Sequence, residues 1–338
     1  MKTDAISIVE AAYDCESDVP AWLAGLLENV APKLDDGFGI GVSMYEPGVA
    51  PDRMRTASRH LDKRLYDAFM GMCLEYPDAF HLANSEPASI GTVTKTLGFT
   101  QAQARSWAPY VKYMHPFGVR DVTGVLARDP SGHAIVFNSP MSDLRRPTRP
   151  ERSAWSRITA HISAGARLRR AIEKLSGDNL ANCPDAVLSP SGSVVHAEPN
   201  AQGSDQREAL RFAAKAIDRA RSKARSNEDE ALDLWQGLVA GRWSLVEQFD
   251  SDGRRFLIAR RNDPQVTDPR ALNLRERQVL AYIAMGQPAK LIAYSLGVSP
   301  SSISLTRRTA MRKLGLQTTA DVVRLFAEAP RSPTPRET

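Results

Sequence analysis

Apolar residues recur along this chain with two periods, and the changes between them divide it into elements. Between 19 and 30, Trp22, Leu23, Leu26, Leu27 and Val30 repeat at helical spacing and predict an amphipathic helix. Over 38–45 the period drops to two: Phe38, Ile40, Val42 and Met44 alternate with Gly39, Gly41, Ser43 and Tyr45. That is a strand whose small-residue face lets a helix approach closely. Three strand pairs follow, each joined by a polar turn that ends in glycine. Strands 122–127 and 134–137 flank Asp129-Pro130-Ser131-Gly132, and strands 186–188 and 193–197 flank Ser189-Pro190-Ser191-Gly192. Strands 244–249 and 254–260 flank Asp250-Ser251-Asp252-Gly253. Polar turn residues accept local hydrogen bonds, and glycine takes the positive φ that closes the turn. Trp155, Ile158, Ile162, Leu168, Ile172 and Leu175 predict one long helix over 152–175, with cations gathered in its last turns. Two further helices are expected over 205–225 and 228–240.

The end of the chain is punctuated differently. Residues 272–328 read as four short helices without a strand. Asn273 and Glu276 have the spacing of a capping box, and Val279, Leu280 and Ile283 follow before Gly286. A second helix opens near Pro288, turns Leu291, Ile292 and Leu296 inward and stops at Gly297. Ser299 caps a third, with Ile303, Ala310 and Leu314 inward before Gly315. Thr318 and Asp321 open a fourth over 320–327, with Val323 and Phe326 expected inside. A short helix, a tight Gly297-Val298-Ser299 turn and a longer helix describe a helix-turn-helix. Its third helix presents Ser301, Ser302, Ser304, Leu305, Arg308 and Arg312 outward. Arg308 suits a guanine edge and Leu305 a thymine methyl. Lys290, Arg307, Arg312, Lys313 and the Ser301 and Ser302 hydroxyls suit phosphates.

Charge sharpens this picture. Residues 1–262 carry 33 basic and 33 acidic side chains, whereas residues 263–338 carry 11 basic against 6 acidic. The whole net charge of +5 therefore sits in the last quarter, as expected of a polyanion-binding unit joined to a neutral body. A length of 338 residues fits two or three domains, and 25% charged with 42% hydrophobic residues is ordinary globular composition. No uncharged apolar run approaches the roughly 18 residues of a membrane span, and the first ten residues lack a secretory pattern. Cys15, Cys73 and Cys183 are too scattered for a disulfide framework or a zinc site and suit a reducing cytoplasm.

Leu272-Asn273-Leu274-Arg275-Glu276-Arg277-Gln278-Val279-Leu280, Ala289-Lys290-Leu291-Ile292-Ala293, Leu296-Gly297-Val298-Ser299, Ser302-Ile303-Ser304 and Arg312-Lys313-Leu314-Gly315-Leu316 resemble, in order and spacing, the LuxR-type (GerE-like) DNA-binding domain. In that family the positions matching Ser304, Leu305 and Arg308 face the groove, and the last helix commonly pairs protomers. Three positions depart from it: the family usually has Asn at the position of Ala289, a basic residue at that of Ser304 and often His at that of Thr306. The resemblance implies a homodimeric transcriptional regulator that binds double-stranded DNA in the cytoplasm at the nucleoid, with RNA polymerase as a further partner. The dimer contacts are expected on helix 152–175 and on Val322 and Leu325. A helix-turn-helix that docks protein instead is the alternative.

The expected fold class is α+β followed by an all-α four-helix domain. By layout, residues 1–176 resemble a GAF-type sensory domain and 183–262 a PAS-type module, with a linker over 263–271, the helix-turn-helix over 272–328 and a disordered tail over 329–338. A receiver domain fits badly: Asp35-Asp36 imitates its acidic pair, but regular strand–helix alternation is missing. The most site-like cluster in the body is Trp107, Tyr110, Tyr113, His115, Phe117 and Asp121. It reads either as a small-ligand pocket or, more often for such clusters, as a core with satisfied polar tips. Trp107 and Tyr110 echo the aromatic spacing of acyl-homoserine-lactone binding domains, but in isolation. His161, inside the long helix, reads as a packed residue. No catalytic residue, metal or cofactor is expected. The Gly37, Gly39, Gly41 spacing is not a dinucleotide fingerprint, and Cys73 is separated from Asp78 and His81 by the helix-breaking Pro77.

Overall fold

Side-chain oxygens open the first helices. In the computed structural model, which describes residues 4–47, 49, 51–76, 89–175, 184–249, 253–264 and 272–328, the Asp4 carboxylate accepts the Ser7 amide at the start of α1 (Ala5–Ala12). Asp18 accepts the Ala21 amide at the start of α2 (Val19–Leu34), the helix expected there. Strands β1 (Ile40–Tyr45), β2 (Arg55–Arg59), β3 (Ile90–Thr92), β4 (Asp121–Arg128) and β5 (Ala134–Met141) form an antiparallel sheet in the order β2-β1-β5-β4-β3. Helices α3 (Lys63–Glu75), α4 (Val93–Thr96), α5 (Gln101–Ser106) and α6 (Ala108–Tyr113) fall between β2 and β4. The period of two in β1 sorts its faces. Ile40, Val42 and Met44 enter the main core with α2, whereas Gly41 and Ser43 lie across from Leu65 and Phe69 of α3.

Helix α7 (Arg149–Leu175) is the long helix of the sequence, one turn longer at its start. Every residue from His161 to Arg169 is buried. Strands β4 and β5 lie on one side of α7, and α1 lies on another. Gly165 permits that second approach, since a Cβ there would stand 2.0 Å from the Ala12 carbonyl oxygen. The expectation that α7 pairs two protomers is therefore wrong over this stretch. Its apolar stripe is broad because it is covered by its own chain.

The second sheet has the order β7-β6-β9-β8, from β6 (Ala186–Leu188), β7 (Val194–Ala197), β8 (Trp243–Phe249) and β9 (Arg255–Arg261), with α8 (Ser204–Arg221) and α9 (Glu228–Leu234) between β7 and β8. Helix α8 ends four residues before the expected boundary. Helix α9 ends at Leu234 and not at 240. Trp235, Leu238 and Val239 are buried at helical spacing, but in a loop that turns through the left-handed residues Ala240 and Gly241. One hydrophobic cluster runs through both sheets and α7. The expected tail, most of the expected linker and the turn 250–252 lie outside the described residues.

Four helices close the chain: α10 (Leu274–Ala284), α11 (Ala289–Leu296), α12 (Pro300–Lys313) and α13 (Thr319–Glu328). Two buried polar groups of α7 govern what surrounds them. The Arg167 guanidinium donates to Asn262 Oδ1 at 3.0 Å and to its carbonyl at 3.1 Å, and pairs with the buried Asp129 carboxylate of the β4–β5 turn. Burial pushes the Asp129 carboxyl up, but the Arg167 charge and the Ser131 hydrogen bond outweigh it and hold it below the usual carboxylate range. The second group is His161. Its Nε2 stands 3.0 Å from the Trp235 carbonyl and 2.7 Å from the Tyr294 hydroxyl of α11, which itself donates to the Leu232 carbonyl. Its Nδ1 lies 3.2 Å from the Tyr13 hydroxyl. A carbonyl only accepts, so Nε2 carries a proton, and burial keeps the ring neutral with Nδ1 as the unprotonated nitrogen facing Tyr13.

Burial holds the His161 imidazole down to about 3. An unfolded histidine takes up its proton near pH 6.5, so between these values the unfolded state binds one more proton. Stability present above about pH 6.5 is then lost as the pH falls, by up to about 1.4 kcal/mol per unit. Urea unfolding at pH 7 and pH 5 should show the wild type losing about 2 kcal/mol more than His161→Gln. Parallel losses in the two proteins would contradict the assignment.

Candidate nucleic-acid interface

Glycine and hydroxyl punctuation builds the four-helix unit as the sequence indicates. Asn273 accepts the Glu276 amide at 2.8 Å and Glu276 accepts the Asn273 amide at 2.9 Å, a complete capping box. Helix α11 ends at Gly297, φ +63, where the Val298 amide returns to the Ala293 carbonyl at 3.0 Å. Two residues on, Ser299 Oγ accepts the Ser302 amide and starts α12, with Pro300 in its first turn. Thr318 and Asp321 cap α13 reciprocally, at 2.7 and 3.2 Å. Val279, Leu280, Ile292, Leu296, Ile303 and Ala310 meet in the core of the unit. The phase of α13 is one residue off the expectation: Val322 is fully buried and Val323 is 43% exposed. Val322 is thus removed as a pairing residue, while Leu325 stays half-buried.

Helix α12 packs on α10 and α11 and turns its other side to solvent. Ser301, Ser302, Ser304, Leu305, Arg307, Arg308, Arg312 and Lys313 are all exposed, Leu305 by 63%. A leucine so exposed on a capped helix contributes nothing to its own core. The cations divide into two kinds. Lys313 Nζ lies 2.8 Å from the buried Glu276 carboxylate, and Arg307 donates to Thr319 Oγ1 at 2.9 Å. Burial works against the Glu276 charge, but Lys313 and the Asn273 amide outweigh it and keep its carboxyl below the usual range. Arg308, Arg312 and the exposed Lys290 of α11 have no ion-pair or hydrogen-bond partner among the described residues. Unpaired cations along the outer side of a capped helix are what an anionic backbone requires.

Contacts from α10 and α11 tie this unit to the body. Besides Tyr294 on His161, the Arg275 guanidinium donates to the Ala240 carbonyl at 3.2 Å, and Gln278 donates to the Pro264 carbonyl at 3.0 Å. Leu238, from the loop after α9, is fully buried inside the four-helix core. Burying such a side chain contributes on the order of 1.5–3 kcal/mol. The sequence pattern marked His161 as packed but did not mark Tyr294 or Leu238 as joining the two parts. The available signal was Tyr294, an aromatic side chain on the outer side of a short helix, and an apolar triplet at 235–239 interrupted by Gly237.

The aromatic cluster of the body is packed. Trp107 and Tyr110 lie 4.9 Å apart, and the buried Tyr110 hydroxyl donates to Asp121 at 3.4 Å. Asp121 also accepts from Thr94 Oγ1 at 2.5 Å. Burial pushes the Asp121 carboxyl above its usual range. Tyr113 and Phe117 pack against the satellite core of Tyr110 and Met114, with the Tyr113 hydroxyl donating to Glu75, and His115 is half-buried. Only Tyr110 and Asp121 of the six are joined by a hydrogen bond. His161 is the packed residue expected. Cys73 is buried in α3, which pushes its thiol up to about 12, far from a nucleophile's range; Asp78 and His81 lie outside the described residues. Among the described residues, no helix is long and apolar enough to cross a membrane.

The four-helix unit is similar to known proteins. Residues 270–326 match the family of bacterial regulatory proteins, luxR family, and form a LuxR-type helix-turn-helix domain. The transcriptional regulatory protein FixJ of Rhizobium meliloti (strain 1021) is 31% identical over 85 residues, 24% of this chain and 42% of that protein. The match thus spans less than half of the relative's length. A crystal structure of Escherichia coli SdiA aligns over 92% of this chain and 91% of its own at 10% identity with a TM-score of 0.29. SdiA in complex with octanoyl-rac-glycerol aligns over 97% and 96% at 11% identity with a TM-score of 0.27.

Gly297 meets two demands at once: a left-handed backbone and a Leu238 carbonyl oxygen that a Cβ would approach to 1.7 Å. Gly297→Ala should lose on the order of 1–2 kcal/mol from the backbone alone, and more from the displaced loop. Thermal unfolding of the full chain checks it, and an unchanged midpoint would contradict the close approach.

Proposed function

We propose that this protein is a DNA-binding transcriptional regulator of the LuxR family whose N-terminal region governs how the helix-turn-helix is presented. The observation that carries this reading is the outer side of α12. There a capped helix start, an exposed Leu305 and the unpaired Arg308 and Arg312 stand together on one exposed surface. A major groove admits such a helix, Arg308 reads a guanine edge, and Ser304 and Leu305 lie beside it. Lys290, Arg312 and the Ser301 and Ser302 hydroxyls take phosphates; Arg307 and Lys313, already engaged within the unit, stand at the flank.

The body is read as two sensory modules, GAF-like over 1–176 and PAS-like over 183–262. Support comes from a five-stranded antiparallel sheet with helices on both faces and a four-stranded sheet that encloses two helices. Their contribution is positional. Because α10 and α11 bind the body and α12 faces outward, the docked unit already offers its reading side to DNA. In a homodimer paired through the exposed edge of α13 at Val323, two such sides would meet half-sites about one helical turn apart.

Arg308→Ala should cost on the order of 1–3 kcal/mol on the preferred duplex and relax preference at one base pair. Lys290→Ala should weaken all duplexes alike. Fluorescence anisotropy with specific and random duplexes separates the two roles. Equal losses on both duplexes for Arg308→Ala would show that it reads no base.

A further inference from the structure

A cavity of about 170 Å³ lies between α1, α8 and the β8–β9 hairpin. Its floor is apolar: Ile217, Leu245 and Leu257 are all buried. One wall is aromatic, with the Tyr13 and Trp235 rings parallel to within 6° and their centroids 6.2 Å apart. An apolar protein cavity of roughly 150 Å³ holds a benzene ring, so there is room here for a single-ring body.

The mouth shows which charge the cavity favours. Arg221, the last residue of α8, places its guanidinium 5.6 Å over the Trp235 ring. It lies 2.7 Å from Glu10 Oε1 and also touches the Glu247 carboxylate. Glu10 and Glu247 each have a second arginine, Arg225 and Arg255 respectively. A cation over an indole face between two carboxylates is therefore the arrangement the protein already builds with its own side chain. Arg221 stands on a long flexible stem at a helix end, and either carboxylate keeps a counter-charge if it swings out. An anionic guest would meet Glu10, Glu247 and Asp14 at the same mouth.

We propose that this cavity binds a small organic monocation with a ring-sized apolar body. Its ammonium takes the place of the Arg221 guanidinium over Trp235, between Glu10 and Glu247. The body lies on the Leu245–Leu257 floor. The site is continuous with the attachment of the four-helix unit, because the Tyr13 hydroxyl and Trp235 carbonyl that back its wall are the groups facing His161.

Three probes of matched shape test the assignment on the full chain at pH 7: benzylamine, benzyl alcohol and benzoate, titrated by calorimetry. Benzylamine should bind saturably and about tenfold more tightly than either of the others, the size of a partly desolvated cation–π contact with paired carboxylates. Glu247→Gln, a change at the rim, should weaken benzylamine about fivefold and leave benzyl alcohol unchanged. Leu257→Phe, which fills the floor, should abolish binding of the ring. Absence of saturable benzylamine binding at millimolar concentration would overturn the proposal. So would benzoate binding as tightly as the amine, or a benzylamine affinity indifferent to Glu247→Gln.

Discussion

A long helix buried on several sides at once cannot keep polar side chains unless partners come to meet them, and of the buried polar groups of α7, Arg167 and His161 draw theirs from the most distant elements. Arg167 inside the protein would cost several kcal/mol if unpaired. Asp129 comes from the β4–β5 turn, and Asn262 from the end of β9, to satisfy it. Asn262 in turn donates to the Ala164 carbonyl at 2.8 Å and to Ser244 Oγ at 2.7 Å. One guanidinium thus fixes where the first sheet's hairpin, the second sheet's last strand and the exit toward the four-helix unit lie relative to one another. Such a pair adds little net stability over an apolar substitute; its effect is to allow one arrangement of three elements.

His161 does the same one face round and two turns earlier in α7. Neutral and fully buried, it faces a carbonyl of the loop after α9, the Tyr13 hydroxyl and the Tyr294 hydroxyl. Leu238 seals the same junction from the loop side. The four-helix unit is consequently held by its first two helices, and α12 is left outward. The contacts of α10 and α11 with the body thus fix how the four-helix unit is oriented on it. In the proposed dimer the separation of the two α12 helices would be set by the body, which is the geometry that half-site spacing measures.

The four-helix unit was legible in the sequence because its boundaries are local. Asn273, Gly297, Ser299 and Thr318 each act within four residues of themselves, so spacing alone finds them. The hairpins were legible for the same reason, through their polar turns and closing glycines. What escaped is non-local. Trp235, Leu238 and Val239 repeat like a helix, but Trp235 and Val239 enter the main core and Leu238 the four-helix core, so periodicity misread a loop. In α13 neighbouring valines offer two phases, and only the position of α10 decides that Val322 goes in. The breadth of the apolar stripe on α7 reads equally well as an exposed pairing face, and α1 and α11 settle it. Tyr294 and His161 are 133 residues apart, and nothing in either neighbourhood announces the other.

The outward α12 with its unpaired Arg308 and Arg312 is proposed to bind the backbone and groove of duplex DNA. Equilibrium binding of the full chain to genomic duplex fragments, followed from low to high salt, tests it most directly. Counterion release requires log K to fall linearly with log salt, by about 0.9 for each phosphate neutralised. A chain that retained no duplex even at the lowest ionic strength, or whose affinity ignored salt, would contradict it.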